Sequence, residues 1–188
     1  MNENAAMAPT DPASASRTVL NVAIVSISDK RSADDDPAGN LLADLVTQAG
    51  HRVVRRAVSP ENKFEVRRIL SDWIADGEVE IILTAGGTGF ADKNTTPEAV
   101  RVLFDKEIEG FGELFRQVSY AEIGAAAIQS RAIAGYANRT VIFCVPASGH
   151  ACRTAWEYLI RDQLDSGQKP CNFANKVGAL PPRKELAP

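Results

Sequence analysis

The chain has 188 residues, a formal net charge of −3, and a hydrophobic content of 45%. That length suits one domain with a sizeable core, and the composition excludes a disordered chain. The slightly acidic balance gives no reason to expect nucleic acid as a partner. No apolar run is long enough to span a bilayer, so we expect no membrane partner and a cytoplasmic location.

The two ends of the chain differ in composition from the rest. Residues 1–17 are rich in Ala, Ser and Asn, without the basic start and apolar core of a secretory signal, and we expect a disordered tail there. Residues 181–188 contain three prolines and are expected to form a flexible tail. The remaining residues, 18–180, are predicted to form a single domain.

The three cysteines, Cys144, Cys152 and Cys171, are odd in number and widely spaced. This pattern argues against a disulfide framework and lacks the close pairs of a zinc site. We therefore expect reduced thiols, as in cytosolic proteins.

Strands and helices alternate along the first half of the chain. Residues 20–27 form a β-branched run typical of a buried strand. A helix is predicted over 37–49, with Asp36 as its N-cap and a proline in its first turn. Residues 51–58 predict a second strand, nearer a sheet edge because it carries three arginines. A helix over 61–76 and a strand over 79–84 follow.

The second half predicts helices around 97–106 and 110–121, then strands over 132–136 and 140–145 joined by a tight connection. A last helix is predicted over 149–162. Alternating strands and helices are typical of a parallel sheet covered on its faces by helices. The predicted fold is therefore α/β, a three-layer α/β/α sandwich whose sheet is mostly parallel, with one antiparallel strand allowed.

Polar segments follow three of the strands, at residues 26–31, 86–94 and 146–150. In open parallel sheets, ligands bind beyond the carboxyl ends of the strands. We therefore expect these three segments to converge on one pocket.

The middle segment contains Gly86, Gly87, Thr88 and Gly89, residues 86–89, which we call the glycine loop. Glycines leave backbone N–H groups uncovered, so the loop could wrap a phosphate. The pattern is neither a Walker A loop nor the dinucleotide fingerprint. The alternative is a turn with only a structural role.

Oxygen-bearing side chains follow the glycine loop. Asp92, Asn94 and Glu98 could hold Mg²⁺ beside a bound phosphate, or the acids could simply favour the start of the next helix. Thr96 is the predicted N-cap of that helix. In the third segment, Ser148 is the predicted cap of the last helix, whose N-terminus would be a second anion site.

Several motifs are spaced along the chain. They are 84–99 (TAGGTGFADKNTTPEA), 108–113 (IEGFGE), 115–119 (FRQVS), 129–135 (QSRAIAG), 146–148 (PAS), 151–156 (ACRTAW) and 170–173 (PCNF). In this order they resemble the motifs of the MoaB/MogA family of molybdenum-cofactor biosynthesis proteins, and residues 84–99 are similar to the family signature GGTG-x₄-D-x-TPEA. The last two motifs resemble the bacterial MoaB branch in particular.

The resemblance implies the fold predicted above and a molybdopterin-binding domain over 18–180. Molybdopterin, a pterin with a dithiolene and a terminal phosphate, would be the ligand or substrate. One branch of the family uses ATP and Mg²⁺ to transfer AMP to that phosphate. Family members form homotrimers, and the MoaB branch is often hexameric, with other molybdenum-cofactor proteins as potential partners. The substrate-binding positions implied here are Ser28, Asp29, Gly86, Gly87, Thr88, Gly89, Pro146 and Ser148.

Two positions depart from the family pattern. Asn94 stands where the signature has aspartate, and Glu61 aligns with a second family acid that is usually aspartate. Glu61, Asn94 and Asp92 are the candidate catalytic residues, and the first two are candidate, though weak, metal ligands. Because Mg²⁺ favours charged oxygen ligands, the neutral Asn94 leaves two alternatives. The chain is either an adenylyltransferase or a non-catalytic molybdopterin carrier or interaction scaffold.

Overall fold

The structure is a computed structural model, and it describes residues 17–177. The predicted tails at 1–17 and 181–188 therefore lie outside the described residues, apart from Arg17. Within the described part of the chain, no helix has the length and apolar character needed to cross a membrane.

Six strands of the described chain form one sheet in the order β2-β1-β3-β6-β5-β4. The first four in this order are parallel to one another, whereas β5 runs antiparallel to β6 and β4 antiparallel to β5. The predicted mostly parallel sheet is confirmed, and β2 lies at an edge as expected. The strands are β1 Asn21–Ile27, β2 Arg52–Ser59, β3 Ile81–Ala85, β4 Lys106–Glu107, β5 Ile133–Ala137 and β6 Thr140–Val145.

Helices cover both faces of the sheet. Successive strand residues point to opposite faces, so Val22 and Ile24 of β1 pack into one core while Ala23 and Val25 pack into the other. The first core receives α1, α4 and α5, and the second receives α2 and α3. The helices are α1 Pro37–Gln48, α2 Lys63–Ala75, α3 Thr96–Val100, α4 Glu109–Ile123, α5 Gly149–Ala155, α6 Arg161–Leu164 and α7 Ala174–Val177.

The structure differs from the sequence predictions mainly in its short elements. The helix expected over 97–106 ends at Val100 and continues only as the 3₁₀ turn Arg101–Leu103. The next two residues of regular structure, Lys106–Glu107, form β4 instead. The last helix runs on as predicted, through the π turn Trp156–Ile160 between α5 and α6. A strand of two residues carries no periodicity, which explains why the sequence did not indicate β4.

The tight connection predicted between β5 and β6 is confirmed. Asn138 and Arg139 both have positive φ, 43° and 69°, as a two-residue hairpin turn between antiparallel strands requires. This turn makes β5 fold back along β6, so the parallel part of the sheet ends at β6.

Candidate functional site

A cleft of about 370 Å³ opens at the carboxyl ends of β1, β3 and β6, which are adjacent in the sheet. The three polar segments predicted to converge do meet there. The cleft is lined by Ser26, Ile27, Ser28, Arg31, Asp36, Pro37, Ala38, Glu61, Ala85, Gly86, Gly87, Thr88, Gly89, Asn94, Pro146 and Ala147.

The carbonyl oxygens of the glycine loop all accept hydrogen bonds from residues outside the loop. The Thr96 hydroxyl donates to the Gly86 carbonyl at 2.8 Å, and the Thr96 amide donates to the Gly87 carbonyl at 3.0 Å. The prediction that Thr96 caps α3 was therefore wrong, because its side chain points back to the loop and Thr95 takes the cap position. These two bonds fasten the loop to the start of α3.

Arg131 donates hydrogen bonds to the other two carbonyls of the loop. Its backbone amide donates to the Thr88 carbonyl at 3.2 Å. Its guanidinium donates to the Gly89 carbonyl from Nε at 2.9 Å and from Nη2 at 2.7 Å. Each carbonyl of residues 86–89 thus has at least one donor.

The amide groups of the loop contrast with its carbonyls. The Gly86 amide donates to the Val145 carbonyl at 2.9 Å. The amides of Gly87, Thr88 and Gly89 have no acceptor in the part of the chain that the structure describes. The hydrogen-bonding capacity left on this loop is that of donors, which suits an anion.

Glycine is required at two positions of the loop. Gly86 has φ of 116° and Gly87 has φ of 65°, where other residues are strained. A Cβ atom would lie 2.3 Å from the Ile27 carbonyl oxygen at Gly86 and 2.1 Å from Thr96 Oγ1 at Gly87. The glycines therefore allow the loop's close contacts with β1 and α3, in addition to uncovering its amides.

Asn94 and Glu61 meet at the cleft. The Asn94 amide nitrogen donates to Glu61 Oε2 at 3.2 Å, so the neutral side chain presents a donor to the Glu61 carboxylate. In the described chain, no three His, Cys, Asp or Glu residues group closely enough to hold a metal ion. The cleft lining holds two carboxylates, Glu61 and Asp36, and Asp36 is already bonded to Ser26 and Gly39 and paired with Arg56, which fits Mg²⁺ poorly. The metal and catalytic roles of Glu61 and Asn94 stay predictions.

Three of the predicted site residues lie outside the cleft lining. Asp29 accepts hydrogen bonds from Lys93 Nζ and, at 2.9 Å, from the Glu61 amide. The Lys93 contact lowers the pKa of Asp29 and raises the pKa of Lys93. Asp92 is exposed on the turn beyond the loop. Ser148 is exposed and caps α5 as predicted, accepting from the Ala151 amide at 3.2 Å.

Sequence reasoning assigned Asp36 only to capping α1, but it also lines the cleft. Its Oδ1 accepts from the Ser26 hydroxyl at 2.6 Å and from the Gly39 amide at 2.9 Å. Arg56 Nη2 lies 3.5 Å from the other carboxylate oxygen. A helix cap placed five residues after the strand-end segment 26–31 was the signal that Asp36 also belongs to the site.

Cys152 is buried in α5 and contacts the third polar segment, residues 146–150. Its thiol donates to the Pro146 carbonyl at 3.3 Å. Burial, together with the negative charge of Asp36, raises the pKa of Cys152 to about 12. The sulfur therefore stays protonated near neutral pH and remains a donor.

Comparison with known proteins gives one consistent family. Residues 23–166 match the family described as "Probable molybdopterin binding domain". "Molybdenum cofactor biosynthesis protein B" of Escherichia coli K12 is 49% identical over 152 residues, covering 81% of this chain and 89% of that protein. The protein of the same name from Bacillus cereus is 43% identical over 142 residues, covering 75% and 84%.

Solved structures agree with the sequence matches. A crystal structure of molybdenum cofactor biosynthesis protein B aligns with a TM-score of 0.76 at 41% identity, covering 78% of this chain and 92% of that one. The tungsten cofactor synthesizing protein MoaB from Pyrococcus furiosus aligns with a TM-score of 0.68 at 32% identity, covering 74% and 89%.

Proposed function

The chain belongs to the MoaB/MogA family of molybdenum-cofactor biosynthesis proteins, and from that premise we propose that its strand-end cleft binds molybdopterin. The terminal phosphate of the ligand lies against the glycine loop. The remainder of the ligand extends along the cleft past Ser28 and Pro146. The cleft volume, about 370 Å³, falls in the range of small-molecule sites.

The observation that supports this proposal most directly is that the amides of Gly87, Thr88 and Gly89 have no acceptor among the residues that the structure describes. An ionised phosphate accepts hydrogen bonds through several oxygens, so it needs donors from the protein and no acceptors. Three neighbouring N–H groups whose carbonyls are already bonded elsewhere offer it donors without competing acceptors. The start of α5 at Ser148 lies beyond the rim and is a weaker candidate for the same role, because its cap already uses one amide of that turn.

The contact between Asn94 and Glu61 favours a carrier over an adenylyltransferase. In adenylyl transfer, an oxygen of the molybdopterin phosphate would bond to the α-phosphorus of ATP while the bond to pyrophosphate breaks. That reaction brings several negative charges together, and Mg²⁺ would offset them when bound. Here the neutral Asn94 donates to Glu61 and adds no carboxylate charge beside it, which favours binding and transfer of the ligand over its adenylylation.

Apolar side chains exposed on α4 and on the 3₁₀ turn Gly124–Gln129 support self-association. Ile128 is 78% exposed, and Leu114, Tyr120 and Ile123 are each at least half exposed. Exposed apolar patches of this kind mark protein interfaces. The occupant proposed is a second copy of this chain, in a homotrimer or a hexamer of two trimers, as the family resemblance implies.

The first prediction concerns the glycine loop. Gly87→Ala places a methyl group against Thr96 at a strained φ, so the three amides should no longer converge on a phosphate. Molybdopterin affinity, followed by pterin fluorescence, should fall at least about tenfold. Gly110→Ala is the matched control, since nothing lies within 4 Å of the added carbon. Unchanged affinity in a folded Gly87→Ala protein would argue against phosphate binding at this loop.

The second prediction concerns turnover. The native chain should release little or no pyrophosphate from ATP in the presence of Mg²⁺ and molybdopterin. Asn94→Asp puts a second carboxylate beside Glu61 and should raise the rate by about 10- to 150-fold, the equivalent of one charge-assisted contact. Asp92→Asn, outside the cleft, should change nothing. Robust native turnover that survives Asn94→Ala but falls in Asp92→Asn would overturn the carrier proposal.

The third prediction concerns assembly. Light scattering at micromolar concentration should give a multiple of the 20.2 kDa chain mass for the native protein. Ile128→Asp should shift the protein toward the monomer, because an unpaired charge is costly to bury in an apolar interface. Phe64→Asp is the control on α2, which packs on the opposite face of the sheet. A native monomer would refute the interface.

A further inference from the structure

We infer that Arg131 is the positioning residue that holds the glycine loop in its anion-binding conformation. The inference rests on the proposed function, since the anion is the molybdopterin phosphate. Arg131 lies in the segment before β5, 42 residues along the chain from the loop carbonyl that its guanidinium contacts. It lines the adjacent cavity beside Glu107 and Arg116 and not the strand-end cleft, so toward a ligand in the cleft it acts through the loop.

Arg131 contacts both the glycine loop and the residues at the start of α3. Its backbone amide and its guanidinium together bind the carbonyls of Thr88 and Gly89. The same guanidinium also binds the Asn94 carbonyl and the Glu98 carboxylate. The side chain is only 24% exposed, so solvent competes weakly for these bonds. One planar group thereby fixes the spacing between the loop and the start of α3.

This arrangement determines which groups the loop offers to a ligand. A carbonyl oxygen carries partial negative charge and would repel a phosphate if it turned toward the cleft. The guanidinium keeps the Gly89 carbonyl directed away from the position of the anion, whereas the Thr88 carbonyl is held by the backbone amide of Arg131, a bond that side-chain substitution leaves in place. Because Glu98 already balances the guanidinium charge, the main contribution of Arg131 is geometric. Lysine carries the same charge but lacks the planar fork that can bind several carbonyls at once.

Arg67 provides a matched control elsewhere in the chain. Its side chain donates to the Ala99 carbonyl at 3.1 Å and to the Glu98 carbonyl at 2.8 Å. Like Arg131, it joins one element to backbone carbonyls of another. The carbonyls that it binds belong to α3 and not to the glycine loop, so its loss should affect stability without affecting the anion site.

The test titrates purified molybdopterin into the full-length native protein and into Arg131→Lys, Arg131→Ala and Arg67→Lys. Thermal denaturation of each variant, run in parallel, reports the loss of stability. We expect Arg131→Lys and Arg131→Ala to bind at least about tenfold more weakly than the native protein, and Arg67→Lys to bind as the native protein does. Methylguanidinium at low millimolar concentration should restore affinity to Arg131→Ala, whereas methylammonium should not.

The possible outcomes separate the two proposals. A native protein that does not bind molybdopterin would overturn the proposed function itself. Native binding combined with unchanged affinity in folded Arg131→Lys would leave the proposed function standing and overturn the role of Arg131. Equal losses of affinity in Arg131→Lys and Arg67→Lys, tracking their stability, would also overturn it, because the effect would then be a general one. If Arg131→Ala does not fold, the comparison of the two lysine variants decides the question.

Discussion

The structure of the site depends on how the hydrogen bonds of the glycine loop are divided. Its four carbonyls are bonded by groups from outside the loop, and three of its four amides have no acceptor among residues 17–177. Three neighbouring amides that face a cleft can donate to water or to a bound anion, and their arrangement side by side suits an anion. Thr96 and Arg131 create this imbalance, and both come from elements that the fold brings to the loop.

The sheet order explains why those elements meet. β3 lies between β1 and β6, all three parallel, so the segments that follow them share one edge of the sheet. The hairpin at Asn138 joins β5 to β6, and the two strands run antiparallel. The start of β5 therefore lies beside the end of β6, at that same edge of the sheet. Arg131, two residues before β5, therefore reaches the loop that follows β3. The antiparallel direction of β5 thus explains how Arg131, just before that strand, comes to lie behind the glycine loop.

Local features of the site could be predicted from the sequence, whereas contacts between distant segments could not. The caps at Asp36 and Ser148 follow from residue type and neighbouring sequence, and the convergence of the three segments follows from the rule for parallel sheets. The Arg131 contact spans 42 residues, and the Asn94 contact with Glu61 spans 33. Only the fold shows that the Arg131 guanidinium binds carbonyls of the glycine loop.

The measurement that tests the central claim most directly is amide chemical-shift mapping of the isotope-labelled protein during titration with molybdopterin. The amide protons of Gly87, Thr88 and Gly89 should shift downfield as they begin to donate to a phosphate, and the same pterin without its phosphate should leave them nearly unchanged. Saturable binding that leaves these three amides unmoved, with the shifts centred instead on the neighbouring cavity lined by Arg116 and Glu113, would contradict the assignment of the phosphate to the glycine loop.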